Sequence, residues 1–122
     1  MPTRVKLLNA APPGTVGAGL RLATGGKYPV TIMCAGGYGS GGGGVNIDIS
    51  PDREAVATDA AATWLRDTGE IGGLGVTEAT TGELTNLPSG AIAIIKHYVR
   101  WIRASTAAGM TGTAAVWLET QK

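Results

Sequence analysis

Short apolar runs, cut apart by glycine, make up most of the chain. Within the runs, apolar and polar residues alternate with a period of two, which in a strand sends successive side chains to opposite faces. The cleanest alternation is Val45–Ser50, where Val45, Ile47 and Ile49 point one way and Asn46, Asp48 and Ser50 the other. It predicts a half-buried strand, ended by Ser50, Pro51 and Asp52. Residues 27–34 place Tyr28, Val30, Ile32 and Cys34 on one face and Thr31 and Met33 on the other. Pro29 removes one backbone donor, which suits an edge position. Residues 18–23 alternate Leu20 and Leu22 with Gly19 and Arg21, and Gly25 and Gly26 turn the chain afterwards. Residues 4–9 read as an edge strand or arm, broken by Pro12, Pro13 and Gly14.

The middle of the chain is harder to read. Residues 52–66 are alanine-rich, which favours helix, but Thr58, Asp59 and Thr63 interrupt the pattern. A turn or short helix near 52–60 is expected, then a strand through Trp64 and Leu65. Residues 67–90, full of Gly and Thr, read mostly as loop. Ala91–Ile95 is a short apolar strand. Residues 97–104 alternate Val99, Trp101 and Arg103 with Tyr98, Arg100 and Ile102. A turn through Gly109 and Gly112 leads to residues 113–119. That pair predicts an antiparallel hairpin, with Trp101 and Trp117 near each other across it. About eight strands result, enough for two packed sheets. The expected fold is an all-β, jelly-roll-like antiparallel sandwich with Gly-rich loops. Residues 1–15 form an N-terminal arm or edge segment and 16–122 a single domain. The expected core holds Val30, Ile32, Cys34, Val45, Ile47, Ile49, Trp101, Val116 and Leu118.

Composition narrows the function. The 122 residues fit one domain, and 20 of them are glycine. Charged residues make up 16%, below the usual ~25%. Such a charge-poor surface is suited to being covered. A net charge of +1 gives no basic excess for phosphates, so nucleic acid is not an expected partner. No run approaches the ~18 apolar residues of a spanning helix, and the apolar stretch after Lys6 is too short for a signal-peptide core. A protein made in the cytoplasm and soluble until assembly is expected, with no membrane partner. Cys34 is the only cysteine and reads as a small buried hydrophobe.

Three segments carry a resemblance. They are Gly26-Lys27-Tyr28-Pro29-Val30-Thr31-Ile32, then Gly44-Val45-Asn46-Ile47-Asp48-Ile49-Ser50-Pro51-Asp52 with Trp64 after it, and last Val99-Arg100-Trp101-Ile102-Arg103-Ala104 with Gly112-Thr113-Ala114-Ala115-Val116-Trp117-Leu118. Together they resemble small β-sandwich proteins encoded among the head genes of tailed bacteriophages. The resemblance spans roughly residues 16–119. It implies a cement or decoration protein that sits on the capsid surface of the virion as an oligomer and reinforces it. Residues 53–62 depart from it, since related chains turn quickly towards the Trp.

Chemistry-bearing motifs are weak by comparison. Gly37, Gly39 and Gly42 match a dinucleotide fingerprint formally, but a strand follows where that motif needs a helix. His97, the only histidine, lacks convincing partners for catalysis or metal binding. Asp48, Asp52, Glu54, Asp59 and Asp67 match no calcium-loop spacing. No catalytic residue, metal, cofactor or small-molecule substrate is expected. Arg100 and Arg103 flank Trp101, and such residues concentrate interface energy; they also snorkel beside core aromatics. The candidate protein-interface residues are Arg4, Lys6, Pro12, Pro13, Tyr38, Arg100 and Arg103. The expected function is non-enzymatic binding to the outer capsid surface. The expected partners are the major capsid protein and further copies of the chain, as a dimer or trimer. The alternatives are a tail, baseplate or fibre component, or a glycan-binding module using Tyr38, Trp64 or Trp117 as stacking platforms.

Overall fold

A computed structural model describes residues 3–22, 30–39, 41–50, 64–73, 80–96 and 101–120. Ten strands occur among them, and no helix: β1 (Thr3–Ala11), β2 (Leu20–Arg21), β3 (Val30–Ala35), β4 (Val45–Ser50), β5 (Leu65–Arg66), β6 (Thr68–Gly73), β7 (Thr80–Glu83), β8 (Ala91–Ile95), β9 (Trp101–Thr106) and β10 (Ala114–Thr120). The larger sheet runs β1-β10-β3-β8-β6-β7 and the smaller β2-β9-β4-β5. Every pairing is antiparallel. The fold is an all-β sandwich.

The pairings follow one rule once the β6–β7 hairpin is set aside. β1 pairs with β10, β2 with β9, β3 with β8 and β4 with β5. The chain is thus a long antiparallel ribbon folded over itself, which is the jelly-roll path. From β1 to β4, and again from β8 to β10, successive strands change sheets. β1 edges the larger sheet, and Leu7, Leu8 and Ala11 on it join the core. Of the two readings of the N-terminal segment, edge strand is the one found. β1 shifts register between Lys6 and Leu8 and again before Ala11, and Ala10 takes φ 48°. Such bulges re-aim an edge strand and disrupt its free hydrogen-bonding side.

Between the sheets, Val30, Ile32 and Cys34 meet Ala93, Ile95, Val116 and Leu118 from the larger layer. Val45, Ile47, Ile102 and Ala104 face them from the smaller one. Each fully buried Val, Leu or Ile contributes about 1.5–3 kcal/mol. Ile49 is partly buried against this cluster.

Four expectations change. First, β9 and β10 are not a hairpin. β9 pairs with β2 and β4 and β10 with β1 and β3, so Trp101 and Trp117 lie in different sheets. The glycine turn between them is an arch that carries the chain across the sandwich, and Met110 within it is buried. Second, the stretch 67–90, expected to be mostly loop, contains two strands: β6 and β7 pair with each other and β6 pairs with β8. Third, Ser50 keeps its expected outward face but is fully buried there. It lies opposite Trp101, while Ile49 lies opposite Ile102. Fourth, the same register puts Trp101 on the outer face of the smaller sheet, where it is buried but separate from the main cluster, and Ile102 takes the core position. The expected turn or helix near residues 52–60, the edge role of Pro29 and the inward face of Tyr28 all lie outside the described residues.

Candidate interaction surfaces

One end of the sandwich gathers the turns at residues 12–15, 36–39, 41–44, 86–90 and 107–113. Backbone hydrogen bonds tie them together: Gly14 N donates to Ala107 O (3.3 Å), Ala107 N to Gly44 O (2.9 Å), Gly39 N to Thr111 O (2.9 Å) and Val45 N to Leu87 O (3.1 Å). Side chains add to this. Thr106 Oγ1 donates to Pro12 O (2.6 Å) and Ser89 Oγ to Gly36 O (2.6 Å). Gly42 and Gly109 pack backbone to backbone. A Cβ built on either residue would press on the other's carbonyl, 3.0–3.1 Å from its carbon and closer to its oxygen. The glycines are thus required by close approach, and they make a held surface from sequence that reads as slack.

Pro12 and Pro13 lie exposed on this end. Tyr38, named as an interface residue, is instead 6% exposed. Its hydroxyl donates to Leu87 O (2.9 Å), fastening two of the gathered turns. Alternation could not reveal this, because Tyr38 sits in a turn rather than a strand. Burial pushes the neighbouring Cys34 thiol up to about 11, partly offset by a hydrogen bond with Tyr38. Burial, then the adjacent Cys34, raises the Tyr38 phenol well above its ordinary value. Both groups are neutral and unreactive near pH 7.

Arg4 and Lys6 lie on the outer face of the larger sheet. Lys6 is directly opposite Trp117, its Nζ 4.4 Å from the ring centroid. The Arg4 guanidinium lies 5.8 Å from the same ring and pairs with Glu119 at 3.1 Å. Trp117 could have been placed outward from the sequence, since Val116 and Leu118 on either side of it point inward.

Arg103 lies on the outer face of the smaller sheet, and Arg100 lies outside the described residues. The Arg103 guanidinium stacks 4.4 Å from the Trp64 centroid, with Nε 3.6 Å from Asp48 Oδ2. Arg66 Nε donates to the other Asp48 oxygen at 2.7 Å and Arg66 Nη1 to Thr85 Oγ1 at 2.7 Å. Thr85 in turn donates to Asn46 Oδ1 at 2.9 Å. One carboxylate thus serves two guanidiniums, and Arg103 is occupied within its own sheet. Sequence reasoning missed Arg66 and Thr85 in this network: the β4–β5 register sets Arg66 opposite Asp48, and the Val45–Leu87 bridge brings Thr85 to Asn46.

The remaining candidates separate. Asp52, Glu54, Asp59 and His97 lie outside the described residues. Among the described residues, no three His, Cys, Asp or Glu gather to hold a metal ion, and no helix is long and apolar enough to cross a membrane. Tyr38 is buried, Trp64 lies under Arg103 and Trp117 lies on the opposite sheet. The row of exposed aromatics that a glycan-binding face needs is not formed by these three.

No family model matches the chain, and no curated protein matches it. Among solved structures, it is similar to the SPBc2 prophage-derived protein YomS, with a TM-score of 0.70 at 13% identity, over 98% of this chain and 94% of that one. The two proteins share a fold along nearly their whole length.

Proposed function

We propose that the protein is a non-enzymatic structural component of a tailed-phage virion. It binds the outer capsid surface and reinforces contacts between major capsid subunits. The observation that carries this reading is the end-to-end likeness to a prophage-derived protein, joined to the head-gene resemblance of the strand motifs. The mechanism is mechanical. The gathered turns present exposed Pro12, Pro13, Gly37 and Gly41 on a scaffold already hydrogen-bonded within the chain. A surface ordered in advance loses little conformational entropy when it docks, so more of the contact energy survives as affinity. Many copies on one shell then gain by multivalency.

The test is to mix purified protein with shells from a phage lacking it, sediment them and reconstruct the particles. Stoichiometric density on the capsid surface is the expected result. Density on the tail or baseplate, or no density, overturns the capsid assignment.

A further inference from the structure

The smaller sheet carries a cross-strand row whose charges do not balance. Register sets Arg103, Asp48 and Arg66 side by side on β9, β4 and β5, all on the outer face. A single carboxylate stands between two guanidiniums, so the row keeps one positive charge in excess. Asp48 is the most shielded of the three side chains, 13% exposed against 34% for Arg66 and 27% for Arg103. A charge arriving from solvent therefore meets the arginines first. The carboxylate also serves them unequally. Arg66 Nε donates to it at 2.7 Å, whereas Arg103 Nε stands 3.6 Å away, buried and without a hydrogen-bond acceptor. Among the described residues, Arg103 donates no hydrogen bond. Trp64 covers one face of its guanidinium at 4.4 Å, which leaves the in-plane Nη groups for an acceptor.

Both guanidiniums are held in place by the chain itself. Arg103 is stacked on Trp64. Arg66 Nη1 donates to Thr85 Oγ1, Thr85 donates to Asn46 Oδ1, and Asn86 N donates to the same Asn46 oxygen at 2.8 Å. Asn86 belongs to the turn-bearing end, so the row is tied to that end. It lies two residues along β4 from Asn46, about 7 Å. The intervening row on this face is Val16, Ser105 and Asn46. Val16 is 62% exposed, an apolar side chain open beside the arginines. Arginine next to open apolar surface is what interface patches concentrate.

We infer that this row binds a carboxylate side chain, Asp or Glu, on the protein surface where the sandwich docks. A planar carboxylate matches the guanidinium fork, and such pairs are charge-assisted and short. Its one negative charge cancels the excess. Nucleic acid presents phosphates in succession and needs a run of unpaired cations, which this row and a chain of net charge +1 lack. Because the arginines are already held, binding costs them little side-chain entropy, and the contact selects an acidic partner over a neutral one. Naming the shell as that partner rests on the proposed function; the carboxylate site itself does not.

Nitrogen-15 spectra of the Arg Nε and Trp indole groups test the site in the intact chain, with a blocked Gly-Glu-Gly peptide as probe and Gly-Gln-Gly as its neutral match. The Arg103 Nε and Trp64 Nε1 signals are expected to shift saturably with the first peptide and not with the second. Asp48→Asn removes the competing carboxylate and tightens binding, where a merely structural role would weaken it. An equal response to both peptides, a stronger response to inorganic phosphate, or weaker binding by Asp48→Asn overturns the inference. Shells lacking the protein supply the second arm. Arg103→Gln is expected to weaken uptake roughly tenfold or more, and Asp48→Asn to strengthen it. Uptake that Arg103→Gln leaves unchanged overturns the inference while the capsid reading stands. A wild type that shells do not take up, with the peptide response intact, overturns the capsid reading while the carboxylate site stands.

Discussion

Replacing Gly109 by alanine tests the close packing of the turn-bearing end. The added methyl would meet the Gly42 carbonyl, 3.1 Å from its carbon and nearer still to its oxygen. The opposing atoms are backbone, so no side chain can swing away. The arch must instead shift, pulling on the bonds from Ala107 to Gly44 and from Gly39 to Thr111. Overpacking of this kind costs about 1–3 kcal/mol. With an unfolding entropy of about 2.1 cal/mol/K per residue, a 122-residue domain loses roughly 4 °C per kcal/mol, so Tm falls by about 4–12 °C. Gly42→Ala presses on the same junction from the other side and costs a similar amount. The two costs do not add. Once one methyl has parted the backbones, the second has room, and a double-mutant cycle shows a coupling of about 1 kcal/mol or more. Gly41→Ala is the matched control, because its added Cβ meets nothing within 4 Å. It leaves Tm unchanged or raises it slightly by restricting the unfolded chain. Calorimetry on the four variants decides the matter. An unaltered Tm for Gly109→Ala, or equal damage from Gly41→Ala, would refute the claim that these glycines are fixed by close approach.

Asp48→Ala leaves Arg66 and Arg103 without their shared countercharge and lowers stability by about 1–3 kcal/mol, whereas Arg66→Ala, at a more exposed pair, costs under about 1 kcal/mol; urea titrations separate the two. Tyr38→Phe removes the bond to Leu87 O, which keeps its bond from Val45 N, and costs about 0.5–1.5 kcal/mol by the same measurement. Alkali weakens the fold through Cys34. Its thiol binds a proton more tightly when folded, so its contribution is complete below pH 9 and is lost as pH rises towards about 11. Tyr38, raised in the same direction, adds to the fall, and Cys34→Ala flattens the pH dependence of Tm across that window. A thiol reagent at pH 7.5 should modify Cys34 no faster than the protein opens; fast native-state labelling would contradict its burial.

The parts legible in the sequence are those where a strand has one dry face. Val30, Ile32 and Cys34 alternate with Thr31 and Met33, and that register alone orients β3. Val45 and Ile47 do the same for β4. Burial escaped parity where the far face is also covered, as at Ser50 and Trp101, because burial there no longer marks the inner side. β6 was hidden because Thr68–Gly73 holds one aliphatic side chain, Ile71, among three glycines. Its identity as a strand comes from β8 beside it. Gly69 there lies close against the Ile94 carbonyl, a fit that composition cannot show. The separation of β9 from β10 is a matter of topology: their turn resembles a hairpin turn locally, and only the partners of each strand, β2 and β4 against β1 and β3, show that the chain crosses between sheets. Of the candidate interface residues, Arg4 and Lys6 are read from their place near the N-terminus. The Trp117 surface they border required the register of four strands.

The account as a whole is tested most directly by the mechanical strength of shells. Capsids lacking this protein are loaded with it to saturation and indented or heated beside unloaded ones. The account predicts saturable uptake at a fixed ratio to the major capsid subunit and a higher breaking force or disruption temperature. Shells that take up the protein without strengthening, or that fail to take it up, would contradict it.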